Sequence, residues 1–165
     1  MKKMWKLLGL SLAVALIAAT MAACGGSGPS YVTNPPSDPK DLVTKLKADD
    51  YMILAEGEID EEDAADMYEM DGMKGITALV MGMKTDMKVS DATNLDKKVT
   101  VEMAMVMYFK DEASAKAAHK DSKNAIDSSM KDGLPDGVKA TVSITQKGKT
   151  VSAYVKVSCK IGDMM

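Results

Sequence analysis

Methionine occupies every second position in the stretch VEMAMVMYF, as Met103, Met105 and Met107. Thioether sulfur is a ligand that soft metals such as Cu(I) and Ag(I) favour, so a row of three sulfurs could hold such an ion. In a β-strand, however, residues two apart point to the same face, and methionine fills irregular hydrophobic cores well. The other residues of the same parity are also apolar: Val99, Val101 and Phe109. The spacing favours a core strand, and a Cu(I) site stays open as the alternative.

The chain contains one histidine, His119, in a segment with helical periodicity. A lone histidine cannot form an ordinary zinc site without other ligands. A Ser-His-Asp hydrolase would need His119 in a cleft beside a nucleophile. The presence of these residue types alone is not specific, because any chain that contains them offers a candidate set. A hydrolase is therefore only the third hypothesis, behind a binding protein and a metal-handling protein.

Two short motifs resemble signatures of known enzymes. Ser-x-x-Lys, the nucleophile motif of penicillin-binding proteins, begins at Ser37 and again at Ser128, but its companion motifs are missing. The tripeptide GKT at 148–150 matches the end of a phosphate-binding loop. Ser143 stands where that loop needs its first glycine, and the segment joins two predicted strands instead of a strand and a helix. We expect no catalytic residues, no cofactor and no metal, and hence no enzyme.

Charge is distributed unevenly along the chain. All 21 basic residues are lysine, so the guanidinium group that recognises phosphate is missing and nucleic-acid binding is not expected. Nine acids and no lysine lie between Glu56 and Asp71. This acidic segment, 56–71, is either a solvated helix surface, a docking patch for a protein partner or a weak cation site, although it lacks the spacing of an EF-hand loop.

The N-terminus has the three parts of an export signal. Lys2, Lys3 and Lys6 supply positive charge, residues 7–17 form a short apolar core, and residues 18–23 are mostly small. The apolar core is shorter than a membrane span requires. The next residues, TMAACGG, resemble the lipobox of bacterial lipoproteins, with Ala22 and Ala23 before Cys24 and Met21 where leucine is usual.

That resemblance implies that the signal peptide, residues 1–23, is removed and that Cys24 carries a lipid. The protein would then sit on the extracytoplasmic side of a cell membrane or an outer membrane, and Gly25 leaves both envelope types open. Loss of Lys2, Lys3 and Lys6 leaves 18 lysines against 24 acids, a net charge of −6. With Cys24 lipidated, no second cysteine is available to pair with Cys159, so we expect no disulfide and a buried thiol.

Residues 24–37 are rich in Gly, Ser and Pro, which predicts a flexible tether that holds residues 38–161 off the membrane as a single domain. A domain of this size can bury a substantial core. It is too small for the two lobes of a solute-binding lipoprotein.

Local patterns predict helices and strands in mixed order. A helix capped by Ser37 or Asp38 runs to 49, an acidic helix begins at 60, and a third helix covers 111–130. Its predicted buried residues are Ala115, Ala118, Ser122, Ala125, Ile126 and Ser129. Strands are predicted at 51–55, 76–84 and 99–109, followed by a hairpin of 138–144 and 151–157 that turns at Lys147 and Gly148.

Together these elements predict an α+β fold, an antiparallel sheet of about five strands with helices packed mainly on one face. The function that we expect is a lipid-anchored extracytoplasmic binding or interaction module at the bacterial cell envelope. The alternative is a methionine-rich lipoprotein that handles Cu(I).

Overall fold

The computed structural model describes residues 28–59, 73–91, 93–129 and 138–164. Five strands form one sheet: β1 (Met52–Glu58), β2 (Ile76–Thr85), β3 (Lys98–Phe109), β4 (Lys139–Lys147) and β5 (Thr150–Lys160). Three α-helices are described: α1 (Ser30–Thr33), α2 (Pro39–Ala48) and α3 (Glu112–Ser129). Two 3₁₀ turns cover Val89–Asp91 and Ile161–Met164. The predicted acidic helix from residue 60 lies outside the described residues.

The strand order is β1-β2-β3-β5-β4, and every neighbouring pair is antiparallel. The predicted α+β class with a five-stranded antiparallel sheet is therefore confirmed. β3 is the central strand because the chain crosses from β3 through α3 to the far edge, β4, and returns as β5 beside β3.

The central strand β3 is buried on both faces. Met103 to Phe109 are all buried, seven residues without a break. Beyond Glu102 neither face of this strand touches water, because Ala104 and Val106, both 1% exposed, alternate with the methionines. A continuous apolar run of this kind is typical of a strand covered on both sides.

The helices divide between the two faces. α3 packs across β3, β4 and β5 on the methionine face, which carries Met81, Met103, Met105 and Met107. On the opposite side is the tyrosine face, which carries Tyr51, Tyr108 and Tyr154 and is covered by α1 and α2. The described helices therefore do not lie mainly on one face, because two apolar faces of one sheet each need a cover.

The predicted buried residues of α3 agree with the structure in part. Ala115, Ala118 and Ile126 are buried, as expected, and they belong to the same cluster as the methionines. Ala125 is exposed and Ser122 is only partly buried, so the contact stripe is narrower than predicted. Small residues on this stripe let the helix lie close to the sheet.

The residues before α2 belong to the fold instead of forming a tether. Val32 on α1 is fully buried, and the hydroxyl of Tyr31 donates to Asp49 after α2. Gly28 lies against the ring of Tyr154, where a Cβ atom would come within 2.4 Å of Cγ. The predicted tether, 24–37, is therefore too long, since the described chain is already packed from Gly28 onward.

Local signals explain where two elements begin and turn. Asp38 caps α2 by accepting a hydrogen bond from the backbone N–H of Lys40 at 2.8 Å, and Pro39 occupies the first helical position. The hairpin turn consists of Gly148 and Lys149, one residue later than predicted, because Lys147 already pairs with Thr150. Gly148 has φ 54°, a conformation that glycine adopts without strain.

Met105 provides a test of the core assignment. It is 4% exposed and lies between Met81 on β2 and Ala153 on β5. Met105→Leu conserves volume and should reduce the free energy of unfolding by less than about 1.5 kcal/mol. Met105→Lys should prevent folding, because it places an unpaired charge in the core. Urea denaturation followed by circular dichroism measures both, and a folded, stable Lys variant would contradict the assignment.

Candidate binding site

The residues that the sequence singled out for chemistry are dispersed in the fold. Met103, Met105 and Met107 are 9%, 4% and 2% exposed in the core, as the core interpretation predicts. His119 lies partly exposed on α3. Cys159 is 6% exposed and packs with Val99 and Ile161 at the end of the sheet, which confirms the predicted buried thiol.

The two enzyme-like motifs have structural roles. The SDPK motif supplies the cap and first turn of α2, and GKT forms the turn and first strand residue of the β4–β5 hairpin. The second Ser-x-x-Lys begins at the end of α3 and continues outside the described residues. Among residues 28–59, 73–91, 93–129 and 138–164, no three His, Cys, Asp or Glu side chains gather as metal ligands.

The described part of the acidic segment belongs to a strand. β1 extends to Glu58, beyond the predicted end at residue 55, and both Glu56 and Glu58 are exposed. Glu56 lies 3.6 Å from the ammonium group of Lys47 on α2. The acids from Asp60 to Asp71 lie outside the described residues.

A cleft of about 710 Å³ opens at one end of the sheet, where the segment between α1 and α2 meets the ends of several strands. Its apolar floor includes Ala78 and Phe109, and polar side chains surround the opening. The polar side chains that line it are Asn34, Ser37, Glu58, Thr77, Tyr108, Lys147, Lys149 and Thr150. This volume and mixed lining are typical of sites that bind small molecules or short segments.

A second groove of about 450 Å³ shares Pro39 and Glu58 with the cleft. It runs between α2 and the end of β1, and its charged lining residues are Asp38, Lys40, Lys47, Glu56 and Glu58. Three carboxylates therefore face two ammonium groups there. Of the first two acids of the acidic segment, Glu58 thus borders both openings and Glu56 borders the groove.

Hydrogen bonds hold the walls of the cleft in place. The hydroxyl of Tyr108 donates to the carbonyl of Pro36 at 3.1 Å, and Thr77 donates to the carbonyl of Tyr108 at 3.2 Å. The side chain of Lys147 donates to Asn34, which joins the hairpin to the N-terminal segment. These contacts all lie within the chain, so they fix the walls of the cleft relative to one another.

Burial, with the nearby charges of Asp38 and Asp41, raises the pKa of Tyr108 to about 12. The phenol is therefore neutral at physiological pH and acts as a hydrogen-bond donor. It fixes the N-terminal segment to the sheet, and this segment forms one wall of the cleft.

A polar network on the tyrosine face was missed from the sequence. Glu102 on β3 accepts a hydrogen bond from the hydroxyl of Tyr51 at 3.0 Å and pairs with Lys156 on β5 at 3.1 Å. Tyr154 also bonds to this carboxylate. Lys84 lies 5.9 Å from the ring centroid of Tyr51, within cation–π range. Glu102 lies directly opposite Lys156 in the sheet. This pairing can be inferred only once the strand order is known.

This network shifts the pKa values of its members. Burial by itself would raise the pKa of Glu102, but the hydrogen bonds from Lys156, Tyr51 and Tyr154 together outweigh it and lower the pKa. Burial and the bond to Glu102 raise the pKa values of Tyr51 and Tyr154. The ionised carboxylate of Glu102 thus lies between the neutral phenols of Tyr51 and Tyr154, and this arrangement stabilises the fold.

No known protein family, no curated protein and no solved structure matches the chain. The described helices include none that is long and apolar enough to cross a membrane.

Glu102→Gln tests the network. The change should lower the free energy of unfolding by about 1–3 kcal/mol at pH 7, because it removes the charge that three donors bind. The folded carboxyl has a pKa below its usual 4.5, so its stabilising effect is present above pH 4.5 and is lost as the pH falls through the lower folded value. The difference between wild type and variant should therefore shrink below pH 4.5 in urea titrations.

Asp96→Asn is the matched control. Asp96 pairs with Lys160 at 3.0 Å, but its side chain is 91% exposed, so the loss should be small at any pH. A Glu102 variant that loses no more stability than the Asp96 variant would show that the network is not stabilising.

Proposed function

We propose that this chain is a lipid-anchored extracytoplasmic binding module of a bacterial cell envelope and not an enzyme. The observation that carries the proposal is the cleft of about 710 Å³ at one end of the sheet, whose walls are joined by hydrogen bonds and whose lining includes Glu58 of the acidic segment. Its lining combines an apolar floor with hydroxyl, amide and ammonium groups, which suits recognition of a ligand. The lipobox resemblance around Cys24 supports the location.

In this proposal the anchor also positions the binding surface. Cys24 is four residues from Gly28, where the packed chain begins, and four residues span at most about 14 Å. The lipid would therefore hold the fold close to the membrane, on the side where Gly28 meets Tyr154. A short link limits rotation, so the cleft would have a restricted orientation relative to the bilayer.

The partner that we propose is a protein with basic groups. Glu58 lines both the cleft and the neighbouring groove, and Glu56 is exposed beside it. Seven further acids follow in the sequence up to Asp71, so the acidic segment 56–71, which begins beside the cleft at Glu56 and Glu58, carries a strong negative charge. Opposite charge accelerates association and selects among partners, and such an attraction weakens as salt is added.

The proposed lipid anchor predicts that a change at Cys24 removes lipid labelling and membrane attachment. Cys24→Ala should abolish incorporation of radiolabelled fatty acid and partitioning into the detergent phase, because the modified sulfur is removed. The fold should be unaffected, because Cys24 precedes the packed residues. Cys159→Ala should retain the lipid label, since this buried thiol is not in the lipobox. If the Cys24 variant still partitions with detergent after signal cleavage, the lipoprotein assignment is wrong.

The binding surface predicts site-specific crosslinking. A photoreactive residue at Thr77, which lines the cleft, should form a defined adduct with an envelope protein in intact cells. The same residue at Lys116, 64% exposed on α3, should not, because it lies over the methionine face. High salt, or Glu56→Gln with Glu58→Gln, should reduce the adduct. Equal labelling from both positions would contradict a binding role for the cleft.

A further inference from the structure

Three methionines lie side by side across the sheet, in a row that the sequence does not reveal. Met52 on β1 directly opposes Met83 on β2, and Met83 directly opposes Met103 on β3. Directly opposed residues of antiparallel strands point to the same face, with Cβ atoms about 4.5–5.5 Å apart. The three thioethers therefore project together from the methionine face. We call them the cross-strand row.

The cross-strand row differs from the core methionines in its access to solvent. Met52 is 56% exposed, Met83 is partly exposed and Met103 is 9% exposed. By comparison, Met105 and Met107 on β3 are only 4% and 2% exposed and lie in the core. The row therefore opens to solvent at the edge strand and closes toward the core. An ion could reach the first sulfur without unfolding the sheet.

Exposure of Met52 has no packing explanation among the described residues. It lies on an edge strand, two residues from an irregularity in the pairing between Ile53 and Ala55. Such irregularities redirect side chains and often accompany functional sites. Leu54, the residue between them, is 46% exposed. The edge of β1 thus presents an apolar, sulfur-containing surface.

The chemistry of the row selects for a soft ion. Among the described residues the row continues with Val155 on β5 and Val142 on β4, and both are neutral. The adjacent rows contribute Met81 and Met105 on one side, and Thr85 and Val101 on the other. A site of neutral thioethers suits a monovalent soft cation, whereas Zn²⁺ and Ca²⁺ prefer imidazole, thiolate or carboxylate ligands.

We propose that Met52, Met83 and Met103 bind Cu(I), with Ag(I) as a redox-inert substitute. The unbranched, flexible side chain of methionine can reorient its sulfur toward a bound ion while its backbone remains in the sheet. This site is separate from the cleft, which lies at the end of the sheet formed by Glu58 and Phe109. The cross-strand row also differs from the alternating methionines along β3, which are Met103, Met105 and Met107, because only Met103 belongs to both sets.

The test is Ag(I) titration of the full chain in detergent micelles, with ¹³C-methyl-labelled methionine observed by NMR. One equivalent of Ag(I) should shift the methyl signals of Met52, Met83 and Met103. The signal of Met87 should remain in place, because this methionine is 39% exposed but lies outside the row. Assignments come from single Met→Leu variants. Absence of shifts in the row, or equal shifts at Met87, overturns the proposal.

Competition with a Cu(I) chelator tests the affinity. The double variant Met52→Leu, Met83→Leu should weaken Cu(I) binding at least tenfold, and Met87→Leu should leave it unchanged. Leucine conserves volume, so the sheet should be retained. Repeating both experiments with Cys24→Ala and Cys159→Ala removes both cysteine sulfurs. If binding disappears with the cysteines, or survives loss of Met52 and Met83, the methionines are not the ligands.

Discussion

The burial of β3 on both faces is the constraint on which the rest of the fold depends. Seven consecutive residues of this strand, from Met103 to Phe109, are buried. A strand of this kind is stable only when a layer covers each side. The crossover through α3 covers the methionine face, and the N-terminal segment with α1 and α2 covers the tyrosine face. The segment that composition marks as a linker is therefore part of the core.

The two faces are built from different side chains and have different properties. The methionine face packs flexible thioethers against the small residues of α3, so it has few polar groups. The tyrosine face places phenols at its margin, where Tyr51 and Tyr154 donate to Glu102 and Tyr108 donates to the backbone at Pro36. A partly buried carboxylate needs such donors, because without them its desolvation would destabilise the folded state. The bond from Tyr108 to Pro36 thus fixes how the N-terminal segment docks.

Docking of that segment also creates the cleft. Asn34 and Ser37 form one wall, and the hairpin residues Lys147 and Lys149 form another. These walls come from regions more than a hundred residues apart in the chain. Only three residues, 25–27, separate Gly28 from the proposed lipid on Cys24, so anchoring, docking and the position of the cleft are linked in our proposal. A binding surface held close to a membrane favours partners that are themselves in the envelope.

Local signals in the sequence were sufficient for much of the secondary structure. Asp38 and Pro39 located the start of α2, and alternation of apolar residues located β2, β3, β4 and β5. These signals act over a few residues, so they are visible without tertiary structure. The hairpin turn was displaced by one residue because Lys147 pairs with Thr150, leaving Gly148 and Lys149 as the turn.

The sequence by itself determined the fold class, the buried thiol at Cys159 and the inward direction of Met103, Met105 and Met107. Only the tertiary structure decided which strands are neighbours. That order brings Glu102 opposite Lys156, Met83 between Met52 and Met103, and the N-terminal segment onto the tyrosine face. The cleft depends on the same order. Pairings between distant strands depend on the packing of whole faces, which no short window of sequence contains.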